Sequence, residues 1–276
     1  MPATVIILIV IAALIAAVIF CAAPGRLSDE QKARFKGLYF AHRGLHSRDK
    51  SVPENSLAAF GRAADAGFGM ELDLQLSKDG QVIVMHDFSL KRICGVNSQA
   101  GSLTLSELKS LRLLGTDETV PLFSEVLELV AGRTPLLIEL KYSKRREELC
   151  AKTLELLKDY KGLFCIESFD PRTVGWFKKH APGIVRGQLA EPCSTSSGIP
   201  PVTTFLLSRV LFNFIARPHF IAYRIGSQPL TVRLSEKMGA LKAGWTLHNK
   251  EQEKGLDMCI FEFYLLGNCR DGRMVQ

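Results

Sequence analysis

The hydrophobic pattern divides the chain into one uniform apolar block and one long alternating stretch. Val5 to Phe20 are all apolar, and the run reaches Ala23 without a charge. That length suits a helix crossing a hydrocarbon core about 30 Å thick. A cleaved signal peptide is the rival reading, but it would carry positive charges ahead of the apolar run, and none stands there. Val18-Ile19-Phe20-Cys21 has only a faint likeness to a lipoprotein cleavage site. The pattern predicts a transmembrane anchor, or an uncleaved signal-anchor, over residues 1–24, with a linker over 25–37. Arg26, Lys32, Arg34 and Lys36 follow the apolar run, with Asp29 and Glu30 among them. The positive-inside bias then predicts a single-pass membrane protein whose following domain is cytoplasmic.

From Gly37 onward, short apolar runs alternate with helical patterns. Leu38-Tyr39-Phe40-Ala41 reads as a strand ending at His42. Asn55 or Ser56 caps a helix over Leu57–Ala66, which Gly67 stops. Met70 to Leu76 alternates apolar with polar residues, the period of a strand. Asp79-Gly80 is a hairpin turn, and Val82–Met85 returns from it to deliver His86. Further strand-like runs are Leu136–Leu140, Leu163–Ile166, Ile184–Leu189, Phe220–Tyr223, Leu241–Leu247 and Met258–Phe261. Helical patterns such as Ser124–Val130 and Lys144–Leu157 separate most of them. Without the return strand the count is eight, so the expected fold is an α/β (β/α)8 TIM barrel over 38–276, preceded by one N-terminal transmembrane helix. Phe205 to Ile215, apolar apart from Arg209 and Asn213, reads either as a barrel helix packed on the sheet or as a helix touching a membrane surface.

Charge narrows the partners. The net charge is +7 and the pI about 9.1, which favours phosphate esters or an anionic lipid surface. The basic residues are scattered and not interleaved with aromatics, so nucleic acid is not an expected partner. Seven cysteines, an odd number with no C-x-x-C spacing, argue against a zinc site and a disulfide framework. Free thiols agree with a reducing compartment.

In a (β/α)8 barrel the chemistry gathers at the C-terminal ends of strands. Glu71 and Asp73, two apart on a strand, point to one face. There they either form a solvated row with Lys78 or share a divalent cation, with Glu139 on the neighbouring strand as a third ligand; hard oxygen donors favour Mg2+ or Ca2+. His42 and His86 sit at strand ends and suit general acid–base work. Arg43 offers a fork for phosphate oxygens. Lys141 is either a second positive contact or a solvated strand-end lysine.

These residues carry a family resemblance. Phe40-Ala41-His42-Arg43-Gly44 with Pro53-Glu54-Asn55-Ser56 resembles the H-R-G and P-E-N-[ST] elements of glycerophosphodiester phosphodiesterases. Glu71-Leu72-Asp73-Leu74-Gln75-Leu76-Ser77-Lys78-Asp79-Gly80 resembles their E-x-D block, and Val84-Met85-His86-Asp87 the following H-D. Leu103–Leu108, Pro121–Val126, Leu137–Lys141, Ser168–Asp170 and Gly244–Thr246 continue the family's order, so the likeness runs from about Leu38 to Thr246.

The resemblance implies a (β/α)8 barrel with His42 and His86 as the acid–base pair. It implies Glu71, Asp73 and Glu139 as metal ligands, Arg43 and Lys141 as phosphate contacts, Glu54 and Asn55 in support, and Trp245 as an apolar wall for the glycerol or its substituent. The C-terminal run Phe261-Glu262-Phe263-Tyr264 lacks the family's T-D-x-P-like element, and either Glu262 stands in for its Asp or the last loop differs. The expected activity is metal-dependent hydrolysis of glycerophosphodiesters to glycerol 3-phosphate and an alcohol. Two alternatives stand beside it: lysophospholipase D-type cleavage of membrane lysophospholipids, and a membrane-tethered barrel that binds phosphodiesters without cleaving them. The sequence fixes no oligomeric state.

Overall fold

The computed structural model describes residues 2–193, 199–264 and 269–274. The strands of its main sheet are β1 Leu38–Ala41, β2 Gly69–Leu76, β3 Val82–Val84, β4 Leu136–Leu140, β5 Phe164–Ser168, β6 Arg186–Ala190, β7 Phe220–Arg224, β8 Leu241–Leu247 and β9 Met258–Phe261. All but β3 pair in parallel, and β1 bonds both β2 and β9, which closes an eight-stranded barrel. β3 returns antiparallel along the upper half of β2, with Leu74 opposite Val84. This is the expected barrel with its hairpin, to within one or two residues at most strand ends.

Two apolar clusters account for the closure. Leu38, Phe40, Leu137, Cys165, Phe220, Leu241 and Met258 fill the lower interior. Met70, Leu72, Leu74, Ile138 and Leu140 point outward against the helices. Both faces of β4 are therefore buried, as parallel strands require. Gly187 makes room inside, because a Cβ there would stand 2.0 Å from the Phe220 ring.

The helices are α1 Ala3–Ala22, α2 Asp29–Phe35, α3 Leu57–Asp65, α4 Lys91–Cys94, α5 Leu105–Lys109, α6 Phe123–Val130, α7 Arg146–Leu157, α8 Pro171–His180, α9 Pro201–Ser208, α10 Asn213–Ala216 and α11 Leu230–Lys237. α1 is long and apolar enough to span a membrane, and Ala22 is its buried residue. The stretch 25–37, expected as a linker, contains α2. Ser28 and Gln31 cap that helix reciprocally, and Leu27 and Phe35 plug the floor of the barrel. Ser56, not Asn55, caps α3, accepting from Ala59 N–H at 3.1 Å.

The apolar run 205–215 is not one helix. It breaks between α9 and α10, where Val210 takes φ 50°. Asn213 turns inward to bond the Ala22 carbonyl at 3.1 Å, a tertiary contact that local pattern cannot announce. The connection from β3 to β4 holds a satellite core of Ile83, Met85, Leu90, Ile93, Leu108, Leu113 and Val120. It carries α4 beside the barrel mouth.

Candidate active site

The upper interior of the barrel is polar. Glu71, Asp73 and Gln75 project inward from β2 by strand alternation, joined by Glu139 from β4 and Glu167 from β5. Register places Asp73 opposite Glu139, and Glu139 opposite Glu167. All four carboxyls are buried. One oxygen each from Glu71, Asp73 and Glu139 lies within 4.8 Å of the others.

Two cations face them. Lys141 Nζ lies 2.9 Å from Glu139 and 3.3 Å from Asp73. Arg43 donates its backbone N–H to Glu71 at 2.9 Å and Nη1 to Glu54 at 2.7 Å, while its Nε lies 3.7 Å from Asp73. Were all four buried carboxyls ionised, two fixed cations would leave an excess of negative charge, which a divalent cation would offset. Asp73 Oδ1 accepts no hydrogen bond among the described residues and has Lys141 Nζ 3.3 Å away as its ion-pair partner, which leaves the oxygen open to a metal. Glu71, Asp73 and Glu139 are the residues that fit such an ion.

The electrostatics agree. Burial, then the Asp73 charge, raises Glu71 well above the ordinary carboxyl range. Burial also raises Glu139 and Glu167. Burial acts the same way on Asp73, but the charges of Lys141, His86 and Arg43 outweigh it and hold that carboxylate low. Asn55 donates Nδ2 to Asp73 Oδ2 at 2.8 Å.

The His42-Arg43-Gly44 turn is built for these contacts. Arg43 takes φ 56° and Asn55 φ 53°, left-handed conformations that cost on the order of 1–3 kcal/mol each. They aim the Arg43 N–H at Glu71, and the Arg43 carbonyl accepts from Asn55 N–H at 2.9 Å. Gly44 cannot be replaced here: at φ 80° its Cβ would meet Ala59 at 2.9 Å.

His42 and His86 line one cavity of about 220 Å³ together with Glu71, Glu139, Glu167 and Trp245. Asp87 backs the His86 imidazole by a hydrogen bond, whereas Glu262 stands near His42, whose buried Nδ1 makes no hydrogen bond among the described residues. His86 Nδ1 is 2.7 Å from Asp87 Oδ1. Burial raises Asp87, yet hydrogen bonds from His86 and Arg92 hold it well below the usual carboxylate range. Gln75 Nε2 reaches the carbonyls of Met85, His86 and Asp87, fastening this loop to β2. Glu262 Oε1 stands 3.7 Å from His42 Nδ1 and 2.9 Å from His46 Nε2. Burial pushes His42 below its ordinary value, and Glu262 opposes that shift.

Arg92 bridges Glu54, through both carboxylate oxygens at 2.7 Å, to Asp87 at 2.6 Å. Burial raises Glu54, but Arg92 and Arg43 bring it down to about 2. Trp245 is fixed by its Nε1 bond to Ala222 O at 3.1 Å and meets the edge of Phe169 at 5.7 Å. A second hollow of about 350 Å³ abuts the site through Lys141, walled by Phe88 and Tyr142.

Every residue singled out from the sequence therefore lies in or beside this cavity. Sequence reasoning missed Glu167, Gln75, Arg92 and His46. Glu167 had a legible signal: like Glu71 and Asp73, it interrupts an apolar strand at an inward position. Arg92 and His46 had none, since the short helix α4 carries one and a loop the other.

The family model described as "Glycerophosphoryl diester phosphodiesterase family" matches residues 42–260. Lysophospholipase D GDPD1 of Rattus norvegicus is 36% identical over 151 residues, covering 50% of this chain and 46% of that protein. The chain thus spans about half the length of that relative. The glycerophosphodiester phosphodiesterase of Caldanaerobacter subterraneus is 35% identical over 173 residues, covering 56% of this chain and 68% of that one. Among solved structures, the Thermotoga maritima glycerophosphodiester phosphodiesterase superposes with a TM-score of 0.61 at 29% identity, over 81% of this chain and 93% of that one. An Oleispira antarctica phosphodiesterase in complex with the product sn-glycerol-3-phosphate shares the fold, with a TM-score of 0.69 at 22% identity over 83% and 94% of the two chains. The chain belongs to the glycerophosphoryl diester phosphodiesterase family.

Proposed function

We propose that this protein hydrolyses glycerophosphodiesters to glycerol 3-phosphate and an alcohol, with His42 and His86 as its acid–base pair. One observation carries the reading: two imidazoles and an acidic triad line the same cavity. Glu71, Asp73 and Glu139 would hold a divalent cation, Mg2+ or Ca2+, which would supply Lewis-acid stabilisation of phosphoryl oxygens. Arg43, whose Nε is buried without a hydrogen-bond partner among the described residues, and Lys141 bind the same phosphate. One imidazole takes the proton of the attacking oxygen while the other returns one to the leaving alcohol. Asp87 fixes the His86 ring through its hydrogen bond, and Glu262 faces the His42 ring as a charge. Glu54 and Asn55 hold Arg43 and Asp73 in place. Trp245 and Phe169 wall the glycerol or its substituent.

His42→Ala and His86→Ala should each lower metal-dependent turnover of glycerophosphocholine by about 10²–10⁴-fold. Retention of full turnover by both variants would refute the assignment.

A second reading, lysophospholipase D-type cleavage, is favoured by exposed Phe88, Tyr142 and Phe169 near the mouth, which would welcome an apolar substituent. It also follows the name of the rat relative. Comparing glycerophosphocholine with a lysophospholipid separates the two. In both readings residues 1–24 anchor a single-pass membrane protein, with 38–276 as the phosphodiesterase domain on the cytoplasmic side.

A further inference from the structure

The way α1 joins the barrel bears on where substrate comes from. Asn213 Nδ2 bonds the Ala22 carbonyl, and Arg217 Nη1 bonds the carbonyls of Phe20 and Ala23, each at 2.9 Å. The Phe20 ring stacks on Phe214 at 6.1 Å. Three residues on, Gly25 N–H bonds the Pro218 carbonyl at 2.8 Å. All these partners precede β7, so they lie at the N-terminal ends of the strands, the floor that α2 plugs. His42, His86, Lys141 and Trp245 lie at the other end. Strands of four to eight residues at about 3.3 Å per residue put roughly 15–25 Å between the two.

α1 leaves the barrel almost at once, since Ala22 is its one buried residue. Its 20 residues make a rod of about 30 Å, the thickness of a hydrocarbon core. If α1 spans, its last turn lies at the lipid–water boundary, and whatever grips that turn lies there too. The grip is direct, with no slack chain between Ala22 and Gly25 to let the barrel turn over. Arg26, next to Gly25 in the chain, and Lys178, whose Nζ bonds the Ile215 carbonyl at 3.3 Å, stand near this exit and suit anionic head groups.

We infer that the barrel stands on the bilayer by its floor, with α10 at head-group level and the catalytic mouth held away from the lipid. The site therefore draws water-soluble, deacylated glycerophosphodiesters in preference to lysophospholipids lying in the bilayer that holds α1. This rests on reading α1 as a membrane span and on the phosphodiesterase assignment.

The test places the full-length protein in phosphatidylcholine vesicles carrying nitroxide on their acyl chains. Cys21, Cys94 and Cys269 are replaced by Ala, and a fluorescent thiol label reports from one of two places. The native Cys193, exposed just beyond β6, reports on the mouth. In a second protein, Cys193→Ser with Phe214→Cys reports on the floor. Position 214 should be quenched and position 193 should not. With the unlabelled protein, lysophosphatidylcholine held in the same vesicles should be cleaved at least about tenfold more slowly than glycerophosphocholine in solution. Equal quenching at both positions, or none at 214, overturns the inference, as does equal turnover of the embedded lipid. Failure to cleave any phosphodiester, with the quenching contrast intact, removes the enzymatic reading and the substrate preference but leaves the orientation standing.

Discussion

Glu167 stands beside Glu139 across the β4–β5 ladder, and its buried Oε2 has no hydrogen-bond partner among the described residues. Burial and the charges of Glu139 and Asp73 raise its pKa well above the ordinary value of 4.5. A carboxyl raised by folding stays neutral in the folded state while the unfolded chain ionises. Its contribution to stability is complete below about pH 4.5 and is lost as pH rises toward the folded value. In chelator, the melting temperature should therefore fall as pH rises above 4.5, and Glu167→Gln should flatten that slope. At roughly 2–4 °C per kcal/mol for a chain of this size, scanning calorimetry from pH 5 to 8 resolves the difference. An unchanged slope would mean that Glu167 is not held neutral.

Glu262, just past the last barrel strand, faces His42 with its Oε1 3.7 Å from Nδ1. Burial lowers His42, and Glu262 counters it. Glu262→Gln should therefore drop the His42 pKa further and move the matching limb of the kcat/KM–pH profile to lower pH. If Glu262 merely holds the loop through His46, activity falls without that displacement.

Lys141 is the cation nearest both Asp73 and Glu139. Removing one member of a buried ion pair costs about 3–5 kcal/mol. Lys141→Met should lower the melting temperature in chelator, and added Mg2+ or Ca2+ should restore more of it than in the parent protein. Equal metal-induced shifts would show that Lys141 does not substitute for the ion.

Asn55 tethers Asp73 Oδ2 while holding φ 53°. Asn55→Gly keeps that conformation accessible and removes the tether. Divalent affinity should drop by about 10–100-fold in titration calorimetry, as when a group supporting a metal ligand is lost. An unaltered affinity would free Asn55 of that role.

How much was legible follows from the kind of signal each residue carries. The inward carboxyls of β2 show in the two-residue period of Glu71 and Asp73. The same period held Glu167, but between Ile166 and Ser168 it had no partner on its own strand to draw notice. His46 and Arg92 were invisible because a loop's path is set by what it packs on, here Phe263 for His46 and the satellite core for α4. The broken helix at 205–215 was misread for the same reason: Asn213 bonds a carbonyl 191 residues away in sequence.

The sequence by itself determined the strand count, the hairpin, the apolar first segment and the polar residues at the strand ends, because alternation and turn residues act over a few neighbours. Only the tertiary structure decided that four carboxyls share two cations, that Glu262 faces His42, and that α1 is gripped at the floor opposite the mouth. Those relations join residues far apart along the chain. Barrel closure and burial set their distances, and no local pattern of polar and apolar positions encodes them.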